Sequence, residues 1–370
     1  MRRVLPALLL CVLTACGGEA PPARGPADTY DSQGRIHGTV PRLDRPPNLI
    51  VVIIDSLRAD ALGDRMPAFK KLADEGVVFT EASAPASWTL PSMVSMLTGL
   101  LPSAHGQYQP RGGWHLPNAV TTYPEILAAG YGYETAAFVM GPWFKHRTSN
   151  LLQGFGGYGS AFSLQDLEVT VGRWNARRDP NKPFFLLLHT YDAHEPYGAA
   201  NRPWPPQIKV AENVDPALLA DAADPAALVR AQYLDAGLGL ALSRRIGPRY
   251  ADTLQRYKYE GFAANPNPEL ADELRTAYWD GVRWVDGLLE RSIGELEAWG
   301  LLENTLLVIT ADHGEAFGEH GNLGHGLTLY DDLLRVPLVM TGPPPFDQAR
   351  TIDESIGLID VLPTYLDWAG

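Results

Sequence analysis

Short apolar runs alternate with segments of helical spacing along most of this sequence. The runs typical of buried strands are NLIVVIID, ETAAFVM, PFFLLLH, NTLLVIT and VPLVM. The segments MPAFKKLADEG, TTYPEILAAGY and TAYWDGVRWVDGLLERSIGELEAWG repeat their apolar residues with the period of an amphipathic helix. This alternation predicts an α/β fold, in which a mostly parallel sheet is sandwiched by helices.

Three of the predicted strands lead into residues that carry chemistry. Asp55 follows the first strand, His189 ends PFFLLLH with His194 in the loop after it, and Asp312 and His313 follow NTLLVIT. Open α/β sheets bind their ligands beyond the carboxyl ends of the strands. We therefore expect a functional site at this edge. Taken alone, Asp55 is also compatible with a turn residue and His189 with a structural histidine.

The loop after NTLLVIT combines carboxylates, imidazoles and glycines. Its candidate metal-binding or supporting residues are Asp312, His313, Glu315, Glu319, His320 and His325. Carboxylate oxygens and imidazole nitrogens are the usual protein ligands of divalent cations. Glycines from Gly314 to Gly326 suit a loop whose backbone approaches a bound ion or anion. The loop therefore predicts a metal site, with Glu315, Glu319 and His320 as supporting or solvated groups.

The first residues, MRRVLPALLLCVLTAC, have the basic start and short apolar stretch of a secretory signal. Their end, LTAC followed by GG, resembles the lipobox of bacterial lipoproteins. We therefore expect residues 1–15 to be a lipoprotein signal peptide, Cys16 to be lipidated and residues 16–47 to be a flexible tether. The protein would be exported and anchored to the membrane, facing the periplasm or the cell surface. An ordinary signal peptide would leave Cys16 unmodified.

Composition narrows the chemistry of the folded part, which we expect at residues 48–370. The net charge of −13 argues against binding nucleic acid through its phosphates. The only cysteines are Cys11 and Cys16, so this part has no cysteine nucleophile, internal disulfide or cysteine-rich zinc site. An Ala- and Leu-rich stretch at about 198–268 interrupts the alternation, and we interpret it as an insertion.

Four segments, in their order and spacing within residues 48–370, resemble the sulfatase family of the alkaline phosphatase superfamily. They are IIDSLRADALG, SWTLPSMVSMLTG, TADHGEAFGEHG and GHGLTLYDDLLRVPL. The resemblance implies an alkaline phosphatase-like core that holds one divalent metal ion, calcium, manganese or zinc. It implies that Asp55, Asp312 and His313 bind this ion, with the nucleophile as a further ligand.

The same resemblance assigns the substrate side of the site. It implies that His194 and His325 contact the anionic group of the substrate or its leaving oxygen. Lys145, in GPWFKHR, is a further candidate for such a contact. The last residues, GLIDVLPTYLDWAG, are similar to the helix near the end of the family's main domain. We therefore expect the usual small C-terminal subdomain to be missing.

Departures from the family's pattern bear on the mechanism. Thr89 stands where sulfatases have the Cys or Ser that is oxidised to formylglycine, and Met93 replaces a supporting arginine. Ser56 replaces a second metal-binding aspartate. Threonine cannot yield the aldehyde, but its hydroxyl can attack if a metal stabilises the alkoxide. The structural alternative for Thr89 is the N-cap of the following helix.

The sequence therefore predicts a metal-dependent hydrolase of sulfate or phosphate esters, with Thr89 as nucleophile and metal ligand. Phosphate is favoured, because water can cleave phosphothreonine at phosphorus. The substrate would be an anionic ester, with a glycan or a lipid headgroup as candidates, and nucleic acid is not expected as a partner. Two alternatives are a transferase that moves a phospho-headgroup onto envelope glycans or lipids, and an inactive family member that binds an anion.

Overall fold

The computed structural model describes residues 46–108, 115–144, 149–160, 162–198, 256–326 and 328–369, together with 228–229, 233–234 and 254. The expectations for residues 1–15, Cys16 and Lys145 lie outside the described residues and stay predictions. The same holds for nearly all of the tether at 16–47 and for most of the insertion at 198–268. Within the described ranges, no helix is long and apolar enough to cross a membrane.

A mixed sheet forms the centre of the fold. The strands of the described residues are β1 Asn48–Ile54, β2 Val77–Phe79, β3 Ala82–Ser83, β4 Glu134–Val139, β5 Gly157–Ser160, β6 Phe184–Thr190, β7 Thr305–Thr310, β8 Ala316–Phe317, β9 Leu323–Gly324, β10 Leu338–Thr341, β11 Arg350–Ile352 and β12 Ile356–Gly357. Eight of these form one sheet in the order β11-β2-β10-β7-β1-β6-β4-β5. β1 runs parallel to both of its neighbours, β6 and β7, whereas β10 is antiparallel to β7 and β2. The prediction of a mostly parallel α/β sheet is confirmed.

Helices of very different length surround this sheet. The α-helices of the described residues are α1 Pro67–Glu75, α2 Thr89–Thr98, α3 Pro102–His105, α4 Tyr123–Glu125, α5 Arg173–Asn175, α6 Phe262–Ala264, α7 Pro268–Ala298, α8 Asp331–Leu334 and α9 Val361–Ala369. Short 3-10 helices lie at Ala59–Ala61, Pro142–Phe144, Leu164–Asp166, Glu319–Gly321 and Leu358–Asp360, and π-helical turns at Ile126–Gly130, Glu168–Gly172 and Tyr257–Gly261. The pattern predicts α7 from Thr276, but the helix begins at Pro268, because the Asn267 side chain accepts a hydrogen bond from Leu270 N at 3.0 Å and caps it.

After Asn48, the central strand β1 is apolar, as is typical of a strand whose two faces are both covered. Leu49 to Ile54 are all buried. Side chains alternate along a strand, so Val51 and Ile53 share one face, and Met93 of α2 lines a small apolar cavity with both of them. The next residue of the same parity is Asp55. The alternation therefore turns Asp55 towards the face that α2 covers.

A carboxylate from α7 completes the amino-terminal end of α1. The residue at the N-cap of α1, Met66, provides no side-chain cap. Asp286 accepts hydrogen bonds from the backbone N–H groups of Ala68 and Phe69, both at 2.9 Å. These contacts satisfy two of the donors that a helix leaves unpaired at its start, and they favour a negative charge there. They tie α1 to α7 across more than 200 residues of sequence, since Phe69 and Asp286 are 217 positions apart.

Candidate active site

Strand register brings three titratable side chains to one face at the carboxyl edge of the sheet. Ile53 of β1 pairs with His189 of β6 on one side and with Thr310 of β7 on the other. Asp55 and Asp312 each lie two residues beyond this level. The two-residue period of a strand therefore directs His189, Asp55 and Asp312 to the same face. All three are completely buried.

Thr89, the first residue of α2, lies next to this group. The N-cap of the helix is Trp88, so the alternative that Thr89 is the N-cap is wrong. The Thr89 hydroxyl donates a hydrogen bond to Oδ2 of Asp55 at 3.1 Å instead. Met93, one turn later, is buried against β1 and provides no charge that could support the hydroxyl.

His313 closes the cluster on the side of β7. Its Nε2 lies 3.4 Å from the hydroxyl oxygen of Thr89, 3.5 Å from Oδ1 of Asp55 and 3.7 Å from Oδ2 of Asp312. Its other nitrogen, Nδ1, lies 2.9 Å from the carbonyl oxygen of Gly314, to which it donates a hydrogen bond. This contact orients the ring with Nε2 towards the carboxylates, the orientation that a metal-binding histidine has. Thr89, Asp55, Asp312 and His313 are thus together, and their role as ligands stays a prediction.

Buried atoms that lack hydrogen-bond partners indicate a place for a cation. Within the described residues, Oδ2 of Asp312 and both ring nitrogens of His189 have no hydrogen-bond partner. Unpaired buried polar groups are rare, and each costs about 1–3 kcal/mol. Asp55, His189 and Asp312 each offer a ligand atom within 4.8 Å of the others. Carboxylates and imidazoles in this arrangement fit a divalent metal ion.

The electrostatics of the cluster point the same way. Burial alone would raise the pKa of Asp312, but the nearby His313 and His189 hold that pKa well below its usual range. Burial alone would lower the pKa of His313, but the charges of Asp312 and Asp55 raise it. Two carboxylates buried side by side thus favour any positive charge placed between them.

Ser56 orients both carboxylates. Its hydroxyl donates a hydrogen bond to Oδ1 of Asp55 at 2.8 Å, and its backbone N–H donates to Oδ1 of Asp312 at 3.4 Å. Its φ of 62° lies in the left-handed region. The Tyr278 hydroxyl of α7 donates a hydrogen bond to the Ser56 carbonyl oxygen at 2.9 Å, which helps to hold this turn. Ser56 therefore arranges the two carboxylates without adding a third.

His194 and His325 form a second cluster beside the first. Their ring centroids are 5.1 Å apart, and the His325 ring is 4.5 Å from that of His313. Nδ1 of His325 lies 3.0 Å from Oε1 of Glu315, and the Tyr197 hydroxyl donates a hydrogen bond to Oε2 of Glu315 at 2.6 Å. Nδ1 of His194 lies 2.9 Å from the carbonyl oxygen of Glu195. Both rings are therefore held in fixed orientations.

The second cluster favours positive charge. Burial alone would lower the pKa of His194, but the charges of Glu195, Asp55 and Glu315 raise it to about 9. Burial alone would raise the pKa of Glu315, but His325 lowers it to about 2. His194 is thus an imidazolium at neutral pH. A cation next to a divalent-metal site is the arrangement expected for binding an anionic ester.

Several residues of the predicted chemical segments lie outside both clusters. Asp192 is buried and accepts a hydrogen bond from the Ser163 hydroxyl at 2.9 Å, so it anchors a loop. Glu319 forms an ion pair with Arg58 at 3.0 Å, and half of the His320 side chain is exposed. The sequence does not decide the role of His189. Its signal is position, since it ends a strand that pairs with β1 at the level of Ile53.

Residues 47–370 match the sequence model of the Sulfatase family. The chain belongs to this family. Sulfatases form a branch of the alkaline phosphatase superfamily, and membership identifies the protein as an ester hydrolase. The cluster of Asp55, Asp312 and His313 and the cluster of His194 and His325 are therefore the candidate active site of this sulfatase-family chain.

Relatives of this sulfatase-family chain are distant. An arylsulfatase of Clostridium perfringens is 21% identical over 388 residues, which cover 87% of this chain and 75% of the relative. An ulvan-active sulfatase of Formosa agariphila is 26% identical over 352 residues, covering 89% of this chain and 63% of that protein. The solved structure of a phosphonate monoester hydrolase of Agrobacterium radiobacter has a TM-score of 0.61 and 21% identity, with 88% of this chain and 74% of that chain covered. This last likeness confirms the fold.

The charge of His194 predicts how anion binding depends on pH. Because the folded pKa is raised to about 9, the imidazolium is present at neutral pH and is lost as the pH rises through 9. Affinity for inorganic sulfate, whose own charge is constant in this range, should fall by about tenfold, the value of one charge-assisted hydrogen bond. Calorimetric titration with sulfate between pH 7 and 10 measures this. The variant His194→Asn should lack the decline, and a wild-type affinity that is flat across pH 9 would contradict the assignment.

Proposed function

We propose that the protein is a divalent-metal-dependent hydrolase of anionic esters, with Thr89 as nucleophile and phosphate esters as the preferred class. The observation that carries the proposal is the position of the Thr89 hydroxyl. It lies 3.1 Å from Oδ2 of Asp55 and 3.4 Å from Nε2 of His313, within the set of candidate ligands. A threonine that only stabilised its helix would have no need of these partners.

The first step forms a bond between the Thr89 oxygen and the phosphorus of the ester. A divalent ion held by Asp55, Asp312 and His313 would stabilise the alkoxide form of Thr89 and neutralise charge on the ester. The hydroxyl proton points to Oδ2 of Asp55, which accepts its hydrogen bond. Thr89 lies at the start of α2, whose N–H groups and dipole favour an anion there. The bond from phosphorus to the leaving alcohol oxygen breaks as the new bond forms.

The second cluster serves the leaving group and the anion. His194, as an imidazolium, binds an oxygen of the anionic group, and His325, oriented by Glu315, contacts the leaving oxygen. The departing alcohol takes a proton from His325. Water then attacks the phosphorus of phosphothreonine and gives one proton back to His325. The bond from phosphorus to the Thr89 oxygen breaks, phosphate is released, and the Thr89 oxygen recovers the proton that it passed to Asp55. Each step therefore has a residue at hand for the charge or the proton that it moves.

The choice of phosphate over sulfate follows from the nucleophile. Formylglycine chemistry needs an aldehyde, which a threonine cannot yield. The position of the supporting arginine is taken by Met93, which is buried against β1. A phosphorylated threonine, by contrast, can be cleaved by water at phosphorus. Because an ulvan-active sulfatase is among the relatives, a charged polysaccharide is the natural first class of physiological substrate to test, beside lipid headgroups.

Replacing the nucleophile should abolish phosphoester turnover. We expect Thr89→Ala to reduce kcat/KM by at least about 1,000-fold, as the loss of a nucleophile does in other enzymes, and Thr89→Ser to retain part of the activity. Nitrophenol release from nitrophenyl phosphate, phosphodiester and sulfate substrates, with manganese or zinc supplied, measures this. Thr98→Ala is a matched control, since Thr98 lies on the same helix and bonds the Val94 carbonyl oxygen at 2.6 Å.

The outcomes separate the proposal from its rivals. Turnover of sulfate that survives Thr89→Ala would contradict the nucleophile. Phosphorylated or headgroup-bearing acceptor as the main product, in the presence of an acceptor alcohol, would indicate a transferase. Anion binding without turnover of any ester would indicate an inactive, anion-binding protein.

We also propose that the enzyme acts at the bacterial envelope, anchored through a lipid on Cys16. The proposal rests on the amino-terminal sequence. Expressed in a bacterial host, the wild-type chain should be recovered with membranes and should incorporate a fatty-acid label, whereas Cys16→Ser should do neither. Cys11→Ser is a matched control, because Cys11 lies in the expected signal peptide. Equal labelling of both variants would contradict the lipid anchor.

A further inference from the structure

We infer that His189 is a direct ligand of the divalent ion, and that this makes the centre a zinc-type rather than a calcium-type site. The inference deepens the proposed function and rests on its metal dependence. His189 belongs to no ligand set that the sequence motifs of this chain define. It enters through strand pairing, at the level of Ile53 on the neighbouring strand.

The distances around His189 are those of a shared ion. Nε2 of His189 lies 3.5 Å from Oδ2 of Asp55 and 3.5 Å from Oδ2 of Asp312. Two ligands that bind one tetrahedral ion at about 2.0–2.2 Å lie about 3.3–3.6 Å from each other. A hydrogen bond between an imidazole N–H and a carboxylate would be shorter, at about 2.7–2.9 Å. The imidazole therefore sits at ligand spacing from both carboxylates.

Apart from the two carboxylates, the described residues offer no partner to the ring nitrogens of His189. Its side chain is fully buried, and neither ring nitrogen has a hydrogen-bond partner within the described residues. One flank of the ring packs against Phe144, at a centroid distance of 4.7 Å, and another against Tyr191 at 5.7 Å. The same Oδ2 of Asp312 that faces His189 also lacks a partner. A cation between the two groups satisfies both atoms at once.

The donor set then selects the metal. With Ser56 in place of a carboxylate, Asp55 and Asp312 offer two carboxylates beside the imidazole of His189. The imidazole of His313 lies 3.5 Å from Oδ1 of Asp55. Calcium takes six to eight oxygen ligands, whereas imidazole nitrogen favours zinc and similar transition ions. The imidazole of His189 takes the place of the missing carboxylate as a ligand. Because it brings no negative charge, the site is less negative than one with a third carboxylate. This combination favours zinc over calcium.

The test measures metal binding rather than catalysis. The full chain is stripped with a chelator and titrated with zinc and with calcium, and unfolding temperatures are recorded with and without zinc. We expect zinc to bind more tightly than calcium, and His189→Leu to weaken zinc binding by at least about tenfold. The rise of the unfolding temperature that zinc causes should be correspondingly smaller in His189→Leu than in the wild type.

His105→Leu is the matched control. His105 is also buried, but its Nε2 lies 3.0 Å from the Ser95 hydroxyl oxygen and its Nδ1 accepts a hydrogen bond from Gln107 N at 3.0 Å. This variant should lower the unfolding temperature without metal and leave the zinc affinity unchanged. The two variants should therefore differ in their zinc affinity. X-ray absorption at the zinc edge should count one imidazole fewer in His189→Leu than in the wild type, which separates a ligand from a residue that only positions one.

Each outcome has a separate meaning. Unchanged zinc affinity in His189→Leu, or an unchanged imidazole count, would overturn the role of His189 and leave the proposed hydrolase intact. Tighter binding of calcium than of zinc would overturn the choice of metal. A wild-type chain that binds neither ion would overturn the metal centre itself and, with it, the proposed function.

Discussion

Two carboxylates that are buried side by side form the constraint on which the site depends. Asp55 and Asp312 are both completely inaccessible to solvent, and each lies 3.5 Å from the same nitrogen of His189. Burying one charge costs several kcal/mol unless it is paired, and two like charges repel as well. Contacts with the surrounding residues offset part of this cost. Imidazoles flank the carboxylates, and Ser56 donates to both of them. Oδ2 of Asp312 and Nε2 of His189, which have no hydrogen-bond partner within the described residues, lie 3.5 Å apart.

The topology of the sheet brings the two carboxylates together. β1 lies between two parallel neighbours, so the carboxyl ends of three strands meet at one edge. Helix α2 covers this edge. Its first residue, Thr89, donates a hydrogen bond to Asp55, and Met93 is buried against β1. Rigid elements thus hold the proposed nucleophile, the candidate metal ligands and the positive end of a helix together. The His194 and His325 cluster adds a positive charge on the other side of the place where an ester would bind.

The elements and half of the site follow from local sequence. Apolar runs and helical spacing locate the strands and α7. The motifs around Asp55, Thr89 and Asp312 can be recognised in the sequence because each lies at the end of a strand or at the start of a helix. Contacts between distant segments could not be predicted in this way. Asp286 caps α1 across 217 positions, and Tyr197 reaches Glu315 across 118. In the sequence, His189 is only the end of a buried strand. Its place in the site depends on the pairing of His189 with Ile53 of β1.

The direction in which a loop or turn side chain points also cannot be predicted from the sequence pattern. Asp192 lies within the segment that carries His194, two residues before it, yet its carboxylate turns to Ser163 and not to the metal cluster. The N-cap role considered for Thr89 fails for a similar reason. Asp55 competes for its hydroxyl, and a tertiary contact replaces the local one.

The most direct test of this account is to trap the covalent intermediate. The metal-loaded enzyme is mixed with a slowly hydrolysed phosphate ester, quenched in acid and digested, and the peptide that carries Thr89 is analysed by mass spectrometry. The account predicts one phosphoryl group on Thr89, absent without substrate and absent from Thr89→Ala. Rapid turnover with phosphate found on another residue, or with no covalent adduct under any quench condition, would contradict it.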